Sequence, residues 1–209
     1  MSPIHPDELG WSLEQELDKD AIVVSENLSG SNSFLSTGFR EDEKMWLSTS
    51  GAGLGWGVGA ATGAKLGQPD RQVVCNIGDG SVMYSASGFW SQARYAVPVL
   101  TVVCNNLNYQ TVRNAYVRYG GKMREADRFT GMYLGDPEID FVSLARSQGV
   151  EGALVENSAD LRPALRRGID ATREGSPFLV DVRVRRTGGG ADSTWHQAFS
   201  LAEERTRRV

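Results

Sequence analysis

Two apolar segments separated by one predicted helix are the feature that most constrains the fold. The segments are residues 72–77 and 97–104, and the helix between them covers residues 82–95. Strands that are apolar on both faces are typical of a parallel sheet that helices cover on both sides, and the connection between such strands is right-handed. The sequence therefore predicts an α/β protein built from β-α-β units.

The spacing of apolar residues extends this alternation along the chain. We predict further helices over residues 9–17, 51–67, 140–148 and 160–174, and further strands over residues 21–26, 45–48, 152–155 and 178–184. Together these elements indicate a three-layer α/β/α fold with a doubly wound, mostly parallel sheet. One domain is expected over residues 1–187, followed over residues 188–209 by a glycine hinge and a helical tail that contains Trp195 and His196.

Composition narrows the class of protein. The 209 residues carry a net charge of −4 and are 40% apolar, which is typical of a globular protein and provides no basic surface for nucleic acid. No apolar stretch reaches the ~18 residues that span a bilayer, and no basic segment leads into an apolar run at the N-terminus. Cys75 and Cys104 fall in predicted buried strands, which favours reduced thiols over a disulfide. We therefore expect a cytoplasmic protein with neither a membrane nor a nucleic-acid partner.

A short motif at the end of the first apolar strand is the strongest functional signal. Gly78-Asp79-Gly80-Ser81 follows the segment 72–77, and Asn105-Asn106 follows the segment 97–104. Ligands of open α/β sheets bind outside the carboxyl ends of the strands, which is where both motifs fall. Mg²⁺ in such sites is usually held by one or two protein oxygens together with phosphates. Asp79 can offer a carboxylate, Asn106 an amide oxygen and Asn108 a main-chain carbonyl.

A diphosphate bound to that cation would find further donors in the same motif. Gly80 permits close approach of the backbone, while Ser81 and the amides that open the helix near Val82 supply donors and the positive end of a helix dipole. The alternative is purely structural, because Gly-Asp-Gly is often a strand-to-helix turn and Asn-Asn is often a cap or a turn.

In this strand-helix-strand context, the two motifs resemble the diphosphate-binding signature of thiamine-diphosphate-dependent enzymes. In that signature, Gly-Asp-Gly is followed by Asn-Asn at the end of the next strand, and here 24 residues separate Gly80 from Asn105. Residues 53–55, 78–94 and 105–109 are similar to the diphosphate-binding domain of the benzoylformate decarboxylase and acetolactate synthase group. The resemblance covers about residues 8–185.

The resemblance implies a role for individual residues. Leu54 is expected to wedge between the two rings of the cofactor, although ordinary core packing is the alternative, and the main-chain carbonyl of Ala52 is expected to orient the cofactor's amino group. Asp79, Asn106 and Asn108 become ligands of Mg²⁺. The residues expected to surround thiamine diphosphate are Gly53, Gly78, Gly80, Ser81, Val82 and Tyr109.

The substrate side of the pocket is less specific. Some pyruvate decarboxylases carry a glutamate at the position of Val112, where it acts as an acid/base, and valine cannot do so. With Thr111 beside it, this edge is more similar to the apolar one of benzoylformate decarboxylase. Gln110 is expected to contact substrate unless it faces solvent. Glu26 and Asn27, at the end of the first strand, are further substrate candidates, with loop capping as the alternative.

The resemblance also implies a partner. Full-length enzymes of the group have three domains, and a glutamate of the first activates the aminopyrimidine ring. Because one diphosphate-binding domain accounts for the 209 residues, we expect a separate pyrimidine-domain subunit, in an α2β2 or larger assembly. The expected reaction is C–C lyase or carboligase chemistry on a 2-oxo acid or 2-hydroxyacyl compound, of decarboxylase or acetolactate-forming type.

Two alternatives stay open from the sequence. One is a non-catalytic paralogue that binds the cofactor only to stabilise a partner. The other is a dinucleotide-binding module, because residues 55–60, Gly-Trp-Gly-Val-Gly-Ala, loosely match the GxGxxA pattern.

Overall fold

Over the part of the chain that the structure describes, six parallel strands form a single sheet. The computed structural model describes residues 4–28, 44–48, 51, 53–135 and 137–186. In chain order the strands are β1 (Ile22–Glu26), β2 (Met45–Ser48), β3 (Val73–Gly78), β4 (Leu100–Asn105), β5 (Glu151–Val155) and β6 (Phe178–Arg183). Across the sheet they lie in the order β2-β1-β3-β4-β6-β5, with every neighbouring pair parallel. The strand order reverses between β1 and β3, which confirms the predicted doubly wound α/β fold.

Helices connect the strands. They are α1 (Pro6–Glu16), α2 (Gly57–Gly67), α3 (Asp79–Ser85), α4 (Gly88–Arg94), α5 (Gln110–Tyr119), α6 (Lys122–Glu125), α7 (Phe141–Arg146) and α8 (Ser158–Arg173). The chain divides into two compact units. The first contains the whole sheet with α1 to α4, α7 and α8, and the second contains α5 and α6 within residues 107–139.

The first unit has a hydrophobic core on each face of the sheet. On one face, α1 and α8 bury Leu9, Leu13, Leu161 and Leu165 in a cluster with alternate residues of the strands. Each such leucine contributes about 1.5–3 kcal/mol relative to an exposed one. The other face is covered by α2, α3 and α4, and there the Cβ of an alanine at Gly88 would lie 2.7 Å from a methyl carbon of Val58. Small residues are thus what allows α4 to approach α2.

Several predicted boundaries were wrong. The helix predicted over residues 51–67 begins only at Gly57, because Gly55 has a φ of +95° and turns the chain before it. The helix predicted over residues 82–95 starts at Asp79 and is broken into α3 and α4, with the poor helix formers Ser87 and Gly88 at the break. The sequence did not predict α5 or α6. The predicted loop over residues 27–43, beyond Leu28, and the predicted tail helix lie outside the described residues.

The two cysteines behave as predicted. Cys75 lies in β3 and Cys104 in β4, and both are buried free thiols.

Candidate functional site

The carboxyl ends of β3 and β4 bring Asp79 and Asn106 to one edge of the sheet. Gly78 pairs with Cys104 in the parallel register of the two strands, Asp79 directly follows β3, and Asn106 directly follows β4. Asp79 is 4% exposed and Asn106 is 7% exposed. The edge therefore holds one buried carboxylate and one buried carboxamide on adjacent strands.

Local backbone geometry orients Asp79. Gly78 is extended, which places Asp79 at the first position of α3, and the Gly80 N–H donates a hydrogen bond of 2.8 Å to Oδ1 of Asp79. Gly80, Ser81 and Val82 are buried in the same turn. An added Cβ at Gly78 would make only an ordinary contact, 3.8 Å from the Ser81 hydroxyl oxygen. The diphosphate-binding roles of these residues stay predictions.

Glu26 ends β1 and is fully buried. Its Oε1 accepts a hydrogen bond from the Gly55 N–H and its Oε2 accepts one from the Gly57 N–H, each at 2.5 Å. The Asn27 side chain donates to Oδ1 of Asn76 at 3.4 Å. Glu26 thus anchors the start of α2 at the edge of the sheet, in agreement with the capping alternative. Substrate roles for Glu26 and Asn27 stay predictions.

The predicted wedge residue lies in the turn that Glu26 anchors. Leu54 is half-buried and Gly53 is exposed, while Ala52 lies outside the described residues. The turn packs closely on α3, because a Cβ on Gly55 would lie 2.7 Å from the Cβ of Tyr84. The turn is therefore held from two sides, by Glu26 and by α3.

Sequence reasoning did not identify two polar features of this unit. The Asn105 side chain donates to Oδ1 and Oδ2 of Asp181 at 2.9 and 3.3 Å, and both residues are 1% exposed. The available signal was a single aspartate inside the apolar strand β6. The indole nitrogen of Trp56 is buried, and within the described part of the chain it meets no acceptor. Asn105 therefore links β4 to β6, whereas Asn106 lies just beyond the carboxyl end of β4.

The second unit contains the residues that follow the paired asparagines. Asn108 lies opposite Tyr133 in an isolated antiparallel bridge. The neighbours of Asn108 make the bonds of this bridge: the Tyr109 N–H donates to the Met132 carbonyl and the Leu134 N–H donates to the Leu107 carbonyl, both at 2.8 Å. In this type of pair the N–H and C=O of the central residue point away from the facing segment.

The first turn of α5 carries the predicted substrate residues. Gln110 is 2% exposed, so the alternative that it faces solvent was wrong. Its Nε2 donates to Oδ1 of Asn114 at 2.8 Å, whereas no described residue donates to its buried Oε1. Thr111 and Val112 are exposed. Gln110 thus offers a buried acceptor, and its contact with substrate stays a prediction.

The donor chemistry fits one hard divalent cation held together with an anionic ligand. Over the described residues, no three side chains of His, Cys, Asp or Glu lie close enough to hold a metal. A cation at the β3–β4 edge therefore depends on the Asp79 carboxylate, neutral oxygens and the charge of its ligand. This is how Mg²⁺ is bound in phosphate sites.

A doubly wound sheet with buried oxygen donors at the carboxyl ends of adjacent strands defines an α/β ligand-binding domain. Residues 29–182 match the model of one family, described as thiamine pyrophosphate enzyme, C-terminal TPP binding domain. The chain belongs to this family. The motif residues Asp79 and Asn106 both fall inside the matched region.

Relatives with named activities cover most of this chain. It is 32% identical to a benzoylformate decarboxylase of Pseudomonas aeruginosa over 180 residues, which are 86% of this chain and 32% of that protein. It is 33% identical to an acetolactate synthase large subunit of Parasynechococcus marenigrum, over 88% of this chain and 28% of that protein. The structure of a thiamine diphosphate-dependent 4-hydroxybenzoylformate decarboxylase of Rhodococcus jostii matches with a TM-score of 0.76 and 32% identity, over 88% of this chain and 33% of that chain.

This chain therefore spans about a third of the length of the relatives it matches. Among the helices of the described residues, none has the length and apolar character needed to cross a membrane.

Proposed function

We propose that this chain is the diphosphate- and Mg²⁺-binding subunit of a split thiamine-diphosphate-dependent enzyme. The observation that carries the proposal is the pairing of a buried carboxylate with a buried carboxamide at the carboxyl ends of β3 and β4. Family membership supports thiamine diphosphate as the ligand. Asp79, Asn106 and the main-chain carbonyl of Asn108 would hold Mg²⁺.

The residues around the proposed Mg²⁺ site have distinct roles. Gly80, Ser81 and Val82 would bind the diphosphate, and the Asp79 carboxylate would balance part of the charge of the cation. Leu54 would set the bent shape of the cofactor from the turn that Glu26 holds. When bound, thiamine diphosphate supplies a carbanion nucleophile and an electron sink for breaking or forming a C–C bond beside a carbonyl.

The substrate we propose is a 2-oxo acid or a 2-hydroxyacyl compound. Support comes from the named activities of the relatives, a benzoylformate decarboxylase and an acetolactate synthase large subunit. Val112 offers no ionisable group, so it would form an apolar wall. Gln110 would orient the substrate through its buried Oε1, which accepts from no described residue.

A second, pyrimidine-domain subunit would complete the enzyme. Large apolar side chains exposed on α3 and α4 support this proposal. Tyr84 is 62% exposed and Trp90 is 55% exposed, and exposed aromatic side chains on two consecutive helices are typical of an interaction surface. The buried indole N–H of Trp56, which meets no acceptor among the described residues, belongs to the residue directly before α2, the helix that α3 and α4 pack against. A partner at this surface would bury the aromatic rings and supply the activating glutamate.

Turnover assays with and without the partner test the proposal. The full chain is purified from its native source with any co-purifying protein and assayed for consumption of 2-oxo acids. We expect turnover by the complex, negligible turnover by this chain alone, and loss of turnover in the complex with Asp79→Ala. Robust activity of the chain alone would contradict the split arrangement. Cofactor binding by a complex that turns over none of a broad panel of substrates would instead favour the non-catalytic paralogue.

A further inference from the structure

A buried arginine lies beside the residue whose carbonyl the proposed function assigns to Mg²⁺. Arg113, on α5, is 1% exposed, and it is among the largest fully buried side chains of the described residues. Burial of a guanidinium is costly unless its surroundings compensate. The burial of Arg113 therefore needs an explanation other than hydrophobic packing.

The contacts of Arg113 point toward Asn108. Its Nη1 donates a hydrogen bond of 3.3 Å to Oδ1 of Asn108, and its guanidinium carbon lies 5.1 Å from the ring centroid of Phe129. The Arg113 N–H donates to the Tyr109 carbonyl at 3.0 Å. The side chain thus reaches back by about one helical turn to Asn108, and Phe129, itself 2% exposed, covers it.

The backbone on either side of Asn108 is held as well. The bonds from Tyr109 to Met132 and from Leu134 to Leu107 fix both flanks, so that the carbonyl of Asn108 points away from the 132–134 segment. Leu107 has a φ of +56°, a conformation that a leucine keeps only when its surroundings impose it. Asn108 follows Asn106 by two residues, so chain geometry alone keeps their Cα atoms within about 7 Å.

We infer that Arg113 is a positioning residue for cation binding, which holds the side chain of Asn108 so that its main-chain carbonyl stays aimed at Mg²⁺. The inference rests on the proposed function. Arg113 acts through Asn108, and it needs no contact with the cofactor itself. The bridge to residues 132–134 sets the direction of the carbonyl, and Arg113 limits its movement.

The choice of cation provides a readout that general stability does not. Mg²⁺ requires nearly octahedral ligands at 2.0–2.1 Å, whereas Ca²⁺ accepts six to eight ligands in flexible geometry. A loosened carbonyl should therefore weaken Mg²⁺ binding more than Ca²⁺ binding. A purely structural role for Arg113 would lower the unfolding midpoint and leave the ratio of the two affinities unchanged.

The experiment measures Mg²⁺ and Ca²⁺ affinity by calorimetry in the presence of thiamine diphosphate, using the full chain with any co-purifying partner. The variants are Arg113→Met, Asn108→Ala and their combination, with Arg118→Met, an exposed arginine of the same helix, as the matched control. Removing a residue that orients a metal ligand typically costs 10–100-fold in affinity. We expect Arg113→Met to weaken Mg²⁺ binding by about 10-fold or more, with a clearly smaller effect on Ca²⁺. The double variant should bind Mg²⁺ no more weakly than the weaker of the two single variants, and Arg113→Lys should recover part of the lost affinity.

Asn108→Ala keeps the interpretation clear, because it removes the side chain that Arg113 holds and retains the carbonyl. If Arg113→Met does not fold, unchanged Mg²⁺ affinity in Asn108→Ala alone overturns the inference. Equal losses for both cations, or additive losses in the double variant, overturn it too. Asp79→Ala separates this from the proposed function: if Asp79→Ala binds Mg²⁺ like the wild type, the proposed metal site itself fails and the inference fails with it.

Discussion

The buried carboxylate of Glu26 is the contact whose removal should affect stability most clearly. In Glu26→Gln the shape is kept, but one of the two oxygens becomes an NH₂ group that faces a backbone N–H. The variant loses one hydrogen bond to a charged acceptor, about 1.5–3 kcal/mol, and leaves a buried donor unsatisfied, which costs about 1–3 kcal/mol. Allowing for relaxation of the turn before α2, we expect a loss of about 3 kcal/mol in the free energy of unfolding. For a domain of this size that lowers Tm by about 6–12 °C.

Urea denaturation followed by circular dichroism measures this change. The matched control is Glu156→Gln, the same substitution at an exposed residue that directly follows β5 at the same edge of the sheet, where we expect a change within about 0.5 kcal/mol. A loss below about 0.5 kcal/mol in Glu26→Gln itself would show that the two 2.5 Å contacts do not hold the turn. Gly57→Ala tests the same contact independently, because the added Cβ would lie 2.8 Å from Oε2 of Glu26.

Two further predictions concern ionisable groups away from the edge. Arg166 and Arg162 donate to the Glu16 carboxylate at 2.9 and 2.6 Å and lower the pKa of Glu16 below its ordinary value of 4.5. This stabilisation is present above pH 4.5 and is lost as the pH falls through the folded-state pKa. In urea titrations, the difference in the free energy of unfolding between wild type and Glu16→Gln should therefore shrink on acidification, and a difference that widens would contradict the assignment. Burial, with the charge of Glu26, raises the pKa of the Cys75 thiol well above its usual range. Cys75 should therefore react with thiol reagents at pH 8 only as fast as the protein unfolds, and rapid labelling of the native chain would disprove this.

The sequence was most informative where the signal is local. The strands of the sheet were predicted because their apolar runs are continuous, and the turn after β3 was predicted because Gly78-Asp79-Gly80 carries its own conformational preference. The position of Asp79 and Asn106 at one edge followed from parallel topology alone. No knowledge of side-chain packing was needed for that step.

Contacts between residues far apart in the chain were harder to predict from the sequence. The hydrogen bonds of Glu26 reach residues 29 and 31 positions away along the chain, and Asn105 bonds to Asp181 across 76 positions. Helix α5 was missed because the buried Arg113 interrupts the apolar periodicity by which helices are identified. Buried polar residues depend on specific partners, and the partners are visible only in the folded chain.

The most direct test of the central claim is a calorimetric titration of thiamine diphosphate with and without Mg²⁺. Asp79→Ala and Asn106→Ala each remove a proposed metal ligand, and Asn157→Ala is the matched control, since Asn157 lies just beyond the carboxyl end of β5 outside the motif. We predict Mg²⁺-dependent binding in the wild type and in Asn157→Ala, and a loss beyond about 100-fold in the two motif variants. Unchanged affinity in Asp79→Ala, or binding of the cofactor that does not depend on Mg²⁺, would contradict the account.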